Sequence, residues 1–373
     1  MLRETFEKGK LGMAKQDREE QIDQFVRQAL ERKIFPGAVL GIVNDKKALY
    51  KKSFGYAQLE PDKIKMKENT IFDLASLTKV MATTIAVMQL IEKGKINLWD
   101  YIKHFYPEFP YEKKEISIFH LLTHTSGFPA IIRLWDQGLN YKEKIKRVLE
   151  NPLEDKTGEK VIYSDLNFIL LGDLIWRVTG KRLDKYASKH IFQPLGMTMT
   201  TFNPLENLPY TDGKDYAATE MCEWRGRMMI GEVHDENAFS FGGVSGHAGL
   251  FSTIDDLNKF LQMLLNNGLY QGIRVLSSRA VGLMSKDWTP NLDNHRGLGW
   301  DLIKNSHSSG GVFFSEAAFG HTGFTGTSIW IDPLLKIGVA LLTNRVHPTR
   351  ENKQIIAFRP LLHNLVVNLF CNS

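Results

Sequence analysis

Between residues 16 and 34 apolar side chains return at helical spacing: Ile22, Phe25, Val26, Ala29 and Leu30 share one stripe, and Pro36-Gly37 stops the run. Residues 38–43 and 48–54 then read as the strands of a hairpin around Asn44-Asp45-Lys46-Lys47. The far end of the chain has matching parts. Residues 311–319, 326–332 and 337–343 predict three more strands, and 352–369 a closing helix. The middle is mostly helical by period, over 80–92, 167–179, 183–190 and 255–267. Thr253 with Asp256 three residues on gives the last of these a capping pattern, and Gly268 stops it. Residues 203–227 have little periodicity and predict a long surface loop. Strands at both ends around a helical middle predict an α/β fold. One discontinuous α/β domain, 15–70 with 295–373, would carry a mainly helical domain, 71–294.

A length of 373 residues allows one large core, or two lobes sharing a cleft. The net charge of +5 is spread along the chain, and clusters such as Lys142-Glu143-Lys144-Ile145-Lys146-Arg147 read as one solvated helix face. With no basic stripe interleaved with aromatics, no nucleic-acid partner is expected. Cys222 and Cys371 supply neither metal spacing nor a disulfide framework. The longest mostly apolar run, 80–91, is 12 residues and too short to span a bilayer. The opening Met1-Leu2-Arg3-Glu4-Thr5-Phe6-Glu7 has no apolar leader core. The expectation is a soluble chain, cytoplasmic as written, periplasmic or extracellular if a leader has been removed, with its oligomeric state open.

Ser76-Leu77-Thr78-Lys79 stands where an aromatic-apolar segment runs into a predicted helix. Residues three apart share a helix face, and a helix N-terminus offers unpaired N–H donors to developing negative charge. Ser76 and Lys79 therefore combine a nucleophile, an amine that handles a proton, and half an oxyanion hole. Tyr163-Ser164-Asp165 follows on a loop entering a helix, where two polar groups can aim at one point. His321-Thr322-Gly323-Phe324-Thr325-Gly326-Thr327 leads into a strand whose glycines admit a close-lying backbone or substrate.

This ordered set resembles the three-motif pattern of serine β-lactamases, penicillin-binding proteins and their esterase relatives. Residues 121–127, 193–197, 246–253 and 297–300 resemble the class C-like branch, and the resemblance runs from about Phe35 to Leu369. It implies a β-lactamase/transpeptidase-like fold: an antiparallel sheet of five or more strands flanked by terminal helices, with the active site in the cleft against the helical domain. It further implies that Ser76 is acylated, that Lys79 and Tyr163 handle protons, and that the Ser76 and Phe324 amides form the oxyanion hole. Asp165, His321, Thr322 and Gly323 would meet the substrate, a small molecule or muropeptide-like fragment. No cofactor and no metal are expected.

Two departures from the pattern matter. Asp165 stands where most relatives have asparagine, and a carboxylate there should hold Lys79 as ammonium, which favours Tyr163 as the base. His321 replaces lysine and is mostly neutral at pH 7, so the usual cation for a substrate carboxylate is missing; Arg345 is a candidate replacement. The expected reaction is cleavage of an amide or ester through an acyl-enzyme on Ser76, with cell-wall amides, short esters and β-lactams as competing substrates. One alternative is a penicillin-binding sensor or weak β-lactamase that does not deacylate efficiently. Another is a metal-dependent hydrolase built from His234, Asp235, Glu236 and His247.

Overall fold

The computed structural model describes residues 15–371, so the Met1–Glu7 stretch read for a leader lies outside them. Seven strands build one antiparallel sheet: β1 (Gly37–Asn44), β2 (Ala48–Gln58), β3 (Ile64–Lys65), β4 (Asp301–Leu302), β5 (Phe319–Thr322), β6 (Ser328–Asp332) and β7 (Ile337–Thr343). The order across the sheet is β4-β5-β6-β7-β1-β2-β3, so the two ends of the chain meet where β7 pairs with β1, Leu40 opposite Leu341.

Alternation along these central strands decides which face each side chain serves. Ala38, Leu40, Ile42, Val339 and Leu341 point into a core with Ile22, Val26, Phe358, Leu362 and Val366. That layer comes from α1 (Lys15–Glu31) and the closing helix 355–371. Val39, Val43, Ala340 and Leu342 point the other way, into the larger core. There they join Leu77, Val80 and Ile85 of the helix ending in α2 (Thr84–Glu92), Leu166 and Leu170 of α3 (Asp165–Thr179), and Leu257 and Leu261 of α4 (Ile254–Leu265). Both faces are covered, which is why β1 and β7 read as near-continuous apolar runs. No described helix is long and apolar enough to cross a membrane.

Three local expectations are corrected. The strand expected over 311–319 begins only at Phe319. Before it, the amides of Val312 and Phe313 donate to Asn364 Oδ1 (2.8 and 3.2 Å) and that of Ser315 to Asp332 Oδ2 (2.6 Å), so side chains take the place of a ladder. Thr253 makes no side-chain cap, and the Asp256 carboxylate, the other half of the expected pattern, accepts instead from the Met199 amide (2.8 Å) and Thr200 hydroxyl (2.9 Å). The expected loop 203–227 contains a helical turn, Pro204–Asn207, and a small hairpin, Met221–Cys222 with Arg227–Met228. Cys222 and Cys371 are both free.

Candidate active site

The chain reaches Ser76 through Ala75, held at φ 46° in the left-handed region. A non-glycine residue pays on the order of 1–3 kcal/mol there, and such strain collects at functional turns. The helix that follows opens with a π turn, Lys79–Thr83, before α2, another feature frequent at functional sites. Lys79 is wholly buried at the bottom of this turn. Its ammonium donates to Ser76 Oγ (2.8 Å) and to the His247 carbonyl (3.2 Å), and lies 2.7 Å from Asp165 Oδ1. Burial alone would push the Lys79 ammonium down, but Asp165 and then Tyr163 more than reverse it, leaving it above the ordinary lysine value. Lys79 is a charged donor to Ser76, not a free amine.

Tyr163 precedes α3 and is partly exposed, with basic groups around its ring. The Lys79 ammonium lies 4.8 Å from the ring centroid, the His124 ring 4.6 Å, the His321 ring 5.8 Å and the Arg296 guanidinium 5.8 Å. Negative charge developing on the phenol oxygen would be met by the field of the two cations, Lys79 and Arg296, since burial holds the His124 and His321 rings well below the usual histidine range. Ser164, the other possible motif serine, is turned away: its hydroxyl donates to the Pro129 carbonyl (2.6 Å) and its amide to His124 Nδ1 (3.0 Å). The Ser-Asp-Asn frame is therefore not the one that faces Lys79.

His321 lies on β5, buried, its Nδ1–H donating to the Thr322 carbonyl (2.9 Å). Burial, then Arg296 and Lys79, hold its imidazole well below the usual histidine range, so it is neutral. The loop beyond it closes through the Gly323 amide donating to the Thr327 carbonyl (2.7 Å), leaving Phe324 half exposed at its tip. Among the described residues neither the Ser76 nor the Phe324 amide donates a hydrogen bond, as an oxyanion hole requires. Arg345, the candidate cation for a substrate carboxylate, is buried behind this loop. Its guanidinium donates to the carbonyls of Phe324 (2.8 Å), Arg350 (2.9 Å) and Asn352 (3.0 Å) and lies under the Phe324 ring, which leaves it committed to holding the loop.

The four residues considered as a metal set diverge. His234 and Glu236 turn to a network with Glu220 and Arg350, while Asp235 and His247 pair with each other (2.8 Å). Asp165, Asp235 and His247 do bring ligand-type atoms within 4.8 Å of one another. Lys79 already sits on Asp165 as the cation of that cluster, and His247 Nε2 on Asp235. Burial would raise the Asp235 carboxyl, but His247 more than reverses it and holds it below the usual carboxylate range.

Sequence reasoning missed Arg296 as a neighbour of the motif residues; Asp235 and His247 it singled out, as part of a possible metal set. Arg296 is buried, with Nε and Nη2 unpartnered among the described residues and Nη1 3.3 Å from Asp301. Its one signal is its place directly before Gly297-Leu298-Gly299-Trp300. His247 reaches Lys79 because Gly246 lets its segment pass between two helices: a Cβ there would stand 1.9 Å from the Phe168 carbonyl.

A family model described as Beta-lactamase matches residues 22–362. The chain is 36% identical over 359 residues to an N-acetylmuramyl-L-alanine amidase of Bacillus subtilis, covering 86% of this chain and 80% of that protein. It is 34% identical over 365 residues to a putative D-alanyl-D-alanine carboxypeptidase of Escherichia coli K12, covering 89% and 83%. Among solved structures it resembles the octameric penicillin-binding protein homologue from Pyrococcus abyssi, with a TM-score of 0.72 and 26% identity, covering 93% of this chain and 77% of that one.

Proposed function

Because the chain belongs to the beta-lactamase family of serine hydrolases, we propose that Ser76 carries the acyl group of a covalent intermediate and that the substrate is a peptidoglycan-derived amide. The observation that carries the reading is Lys79 locked as ammonium between Ser76 Oγ and Asp165, beside Tyr163. An ammonium paired with a carboxylate and already donating to Ser76 Oγ is a poor base, which leaves the proton of Ser76 to Tyr163. As Ser76 Oγ bonds the carbonyl carbon, Tyr163, acting as its phenolate, takes the Ser76 proton to become the phenol; that phenol then gives the proton to the departing amine as the C–N bond breaks. Water then attacks the acyl-enzyme along the same proton path, and Ser76 is regenerated. The Ser76 and Phe324 amides receive the carbonyl oxygen as it becomes negative, where each donor contributes about 3–4 kcal/mol.

The amide class is supported by the relatives named for amidase and carboxypeptidase activity. Intact-mass spectrometry after exposure to a fluorophosphonate, with muropeptide digestion followed by chromatography, tests both halves. Ser76→Ala should take no label and lose turnover by roughly 10⁶-fold. Full turnover in Ser76→Ala would refute the acyl-enzyme. A stable penicillin adduct with no muropeptide turnover would replace the hydrolase with a sensor.

A further inference from the structure

Asp73 ends a short strand three residues before Ser76 and is buried. Its Oδ1 accepts the amide of Ala75 (2.8 Å), the residue before the nucleophile. Its Oδ2 accepts the amide of His234 (2.6 Å), whose ring stacks on Phe324 at 5.6 Å and 25°. Its carbonyl accepts the hydroxyl of Thr325 (2.7 Å), the residue after Phe324. One residue thus holds the chain on both sides of the gap between the Ser76 and Phe324 amides. The next residue repeats the tie: the Leu74 carbonyl accepts the Thr327 hydroxyl (3.1 Å), and Gly323 lies so close that a Cβ there would stand 2.5 Å from that carbonyl.

We propose that Asp73 is a positioning residue that sets the distance between the two oxyanion donors, a role that rests on the acyl-enzyme reading of Ser76. The residue type fits the task. Two main-chain N–H groups arrive from opposite sides, and a carboxylate is the short side chain that accepts on both oxygens. A buried carboxylate is costly unless fully hydrogen-bonded. Burial accordingly pushes the Asp73 carboxyl up, against the His234 and Ala75 amides. No lysine or arginine neutralises it among the described residues. A counter-cation would satisfy the charge but could not link two amides at fixed spacing.

Asp73→Asn keeps the shape but can accept at one oxygen only, so one of the two amides loses its partner. The expected result is a fall in kcat of about 100-fold, the scale of losing one oxyanion donor, with KM within about threefold. Affinity for a boronic acid that mimics the tetrahedral intermediate should fall in parallel, while a ground-state product binds as before. Thr325→Val cuts the second tie and should lower kcat and boronate affinity by about tenfold, with Thr325→Ser restoring both. If Asp73→Asn does not fold, the Thr325 pair decides. Folded variants whose kcat and boronate affinity stay within about twofold of wild type, or whose loss lies in KM alone, would overturn the proposal. Failure of wild type to be labelled at Ser76 by the fluorophosphonate would overturn the acyl-enzyme reading instead, so the two failures separate.

Discussion

Asp165→Asn removes the one carboxylate that, among the described residues, touches the wholly buried Lys79 ammonium. At 2.7 Å, the gross attraction between Lys79 and Asp165 is about 6 kcal/mol at an effective dielectric of 20. The net loss is smaller, since Asp165 is 17% exposed and asparagine still offers an oxygen. Removing one partner of a buried pair costs 3–5 kcal/mol, so about 3 kcal/mol is the expected loss at neutral pH. For a chain of this length that lowers Tm by about 4 °C.

The pH dependence is the sharper check. In the wild type the folded Lys79 lies above its unfolded value of about 10.4. Its contribution is therefore complete below that pH and is lost only as pH rises through the folded value. In Asp165→Asn burial prevails and the folded lysine drops below the unfolded one, a penalty that grows as pH falls from about 10.4 and levels off below the folded value. The stability gap between the two proteins should then be largest at pH 6–8 and narrow as pH approaches about 10. Urea denaturation of both proteins between pH 6 and 10 measures it. A gap under about 0.5 kcal/mol at pH 7, or one that does not change with pH, would refute the reasoning.

Arg345→Gln breaks the guanidinium's bonds to three carbonyls, so kcat should fall about tenfold equally for a carboxylate-bearing substrate and its amidated analogue. A loss confined to the carboxylate substrate would make Arg345 an anion anchor after all. Burial acts to raise the Glu220 carboxyl, but hydrogen bonds from His234 and Arg350 outweigh it and bring it down to about 2. Its stabilisation is thus present above the unfolded value of about 4.3 and lost as pH falls towards 2. Glu220→Gln should be less stable than wild type at pH 6, with the gap closing during acid titration. A gap that persists at pH 2 would contradict the assignment.

The sheet and its two covering helices were legible because β1, β2 and β7 carry side-chain patterns that only burial explains. The meeting of Ser76 and Lys79 was legible because i and i+3 are neighbours on any helix. What could not be read are contacts whose partners come from distant segments. Asp73 gives no local sign of its tie to His234, 161 positions away. The 311–318 stretch looked like a strand because its backbone acceptors, Asn364 and Asp332, lie outside the pattern that was read. The reciprocal half of the expected capping pattern fails for a related reason: the Asp256 carboxylate accepts from Met199 and Thr200, which local spacing could not reveal.

The two departures from the usual motif pattern act on the same charge balance. Aspartate at 165 adds a negative charge beside Lys79, and histidine at 321 removes a positive one from β5, so together they would leave the surroundings of Tyr163 poorer in positive field. Arg296 offsets this. It brings a cation to 5.8 Å from the Tyr163 ring from the segment before β4, and it is a main reason, after burial, that His321 stays neutral. A protonated His321 would add a third buried cation next to Arg296 and Lys79 with no carboxylate to meet it, an arrangement that costs several kcal/mol or more. Tyr163 thus keeps two fixed cations near it, Lys79 balanced by Asp165 and Arg296 by Asp301. His321, held well below the usual histidine range by burial and by these two cations, adds no charge of its own at Tyr163.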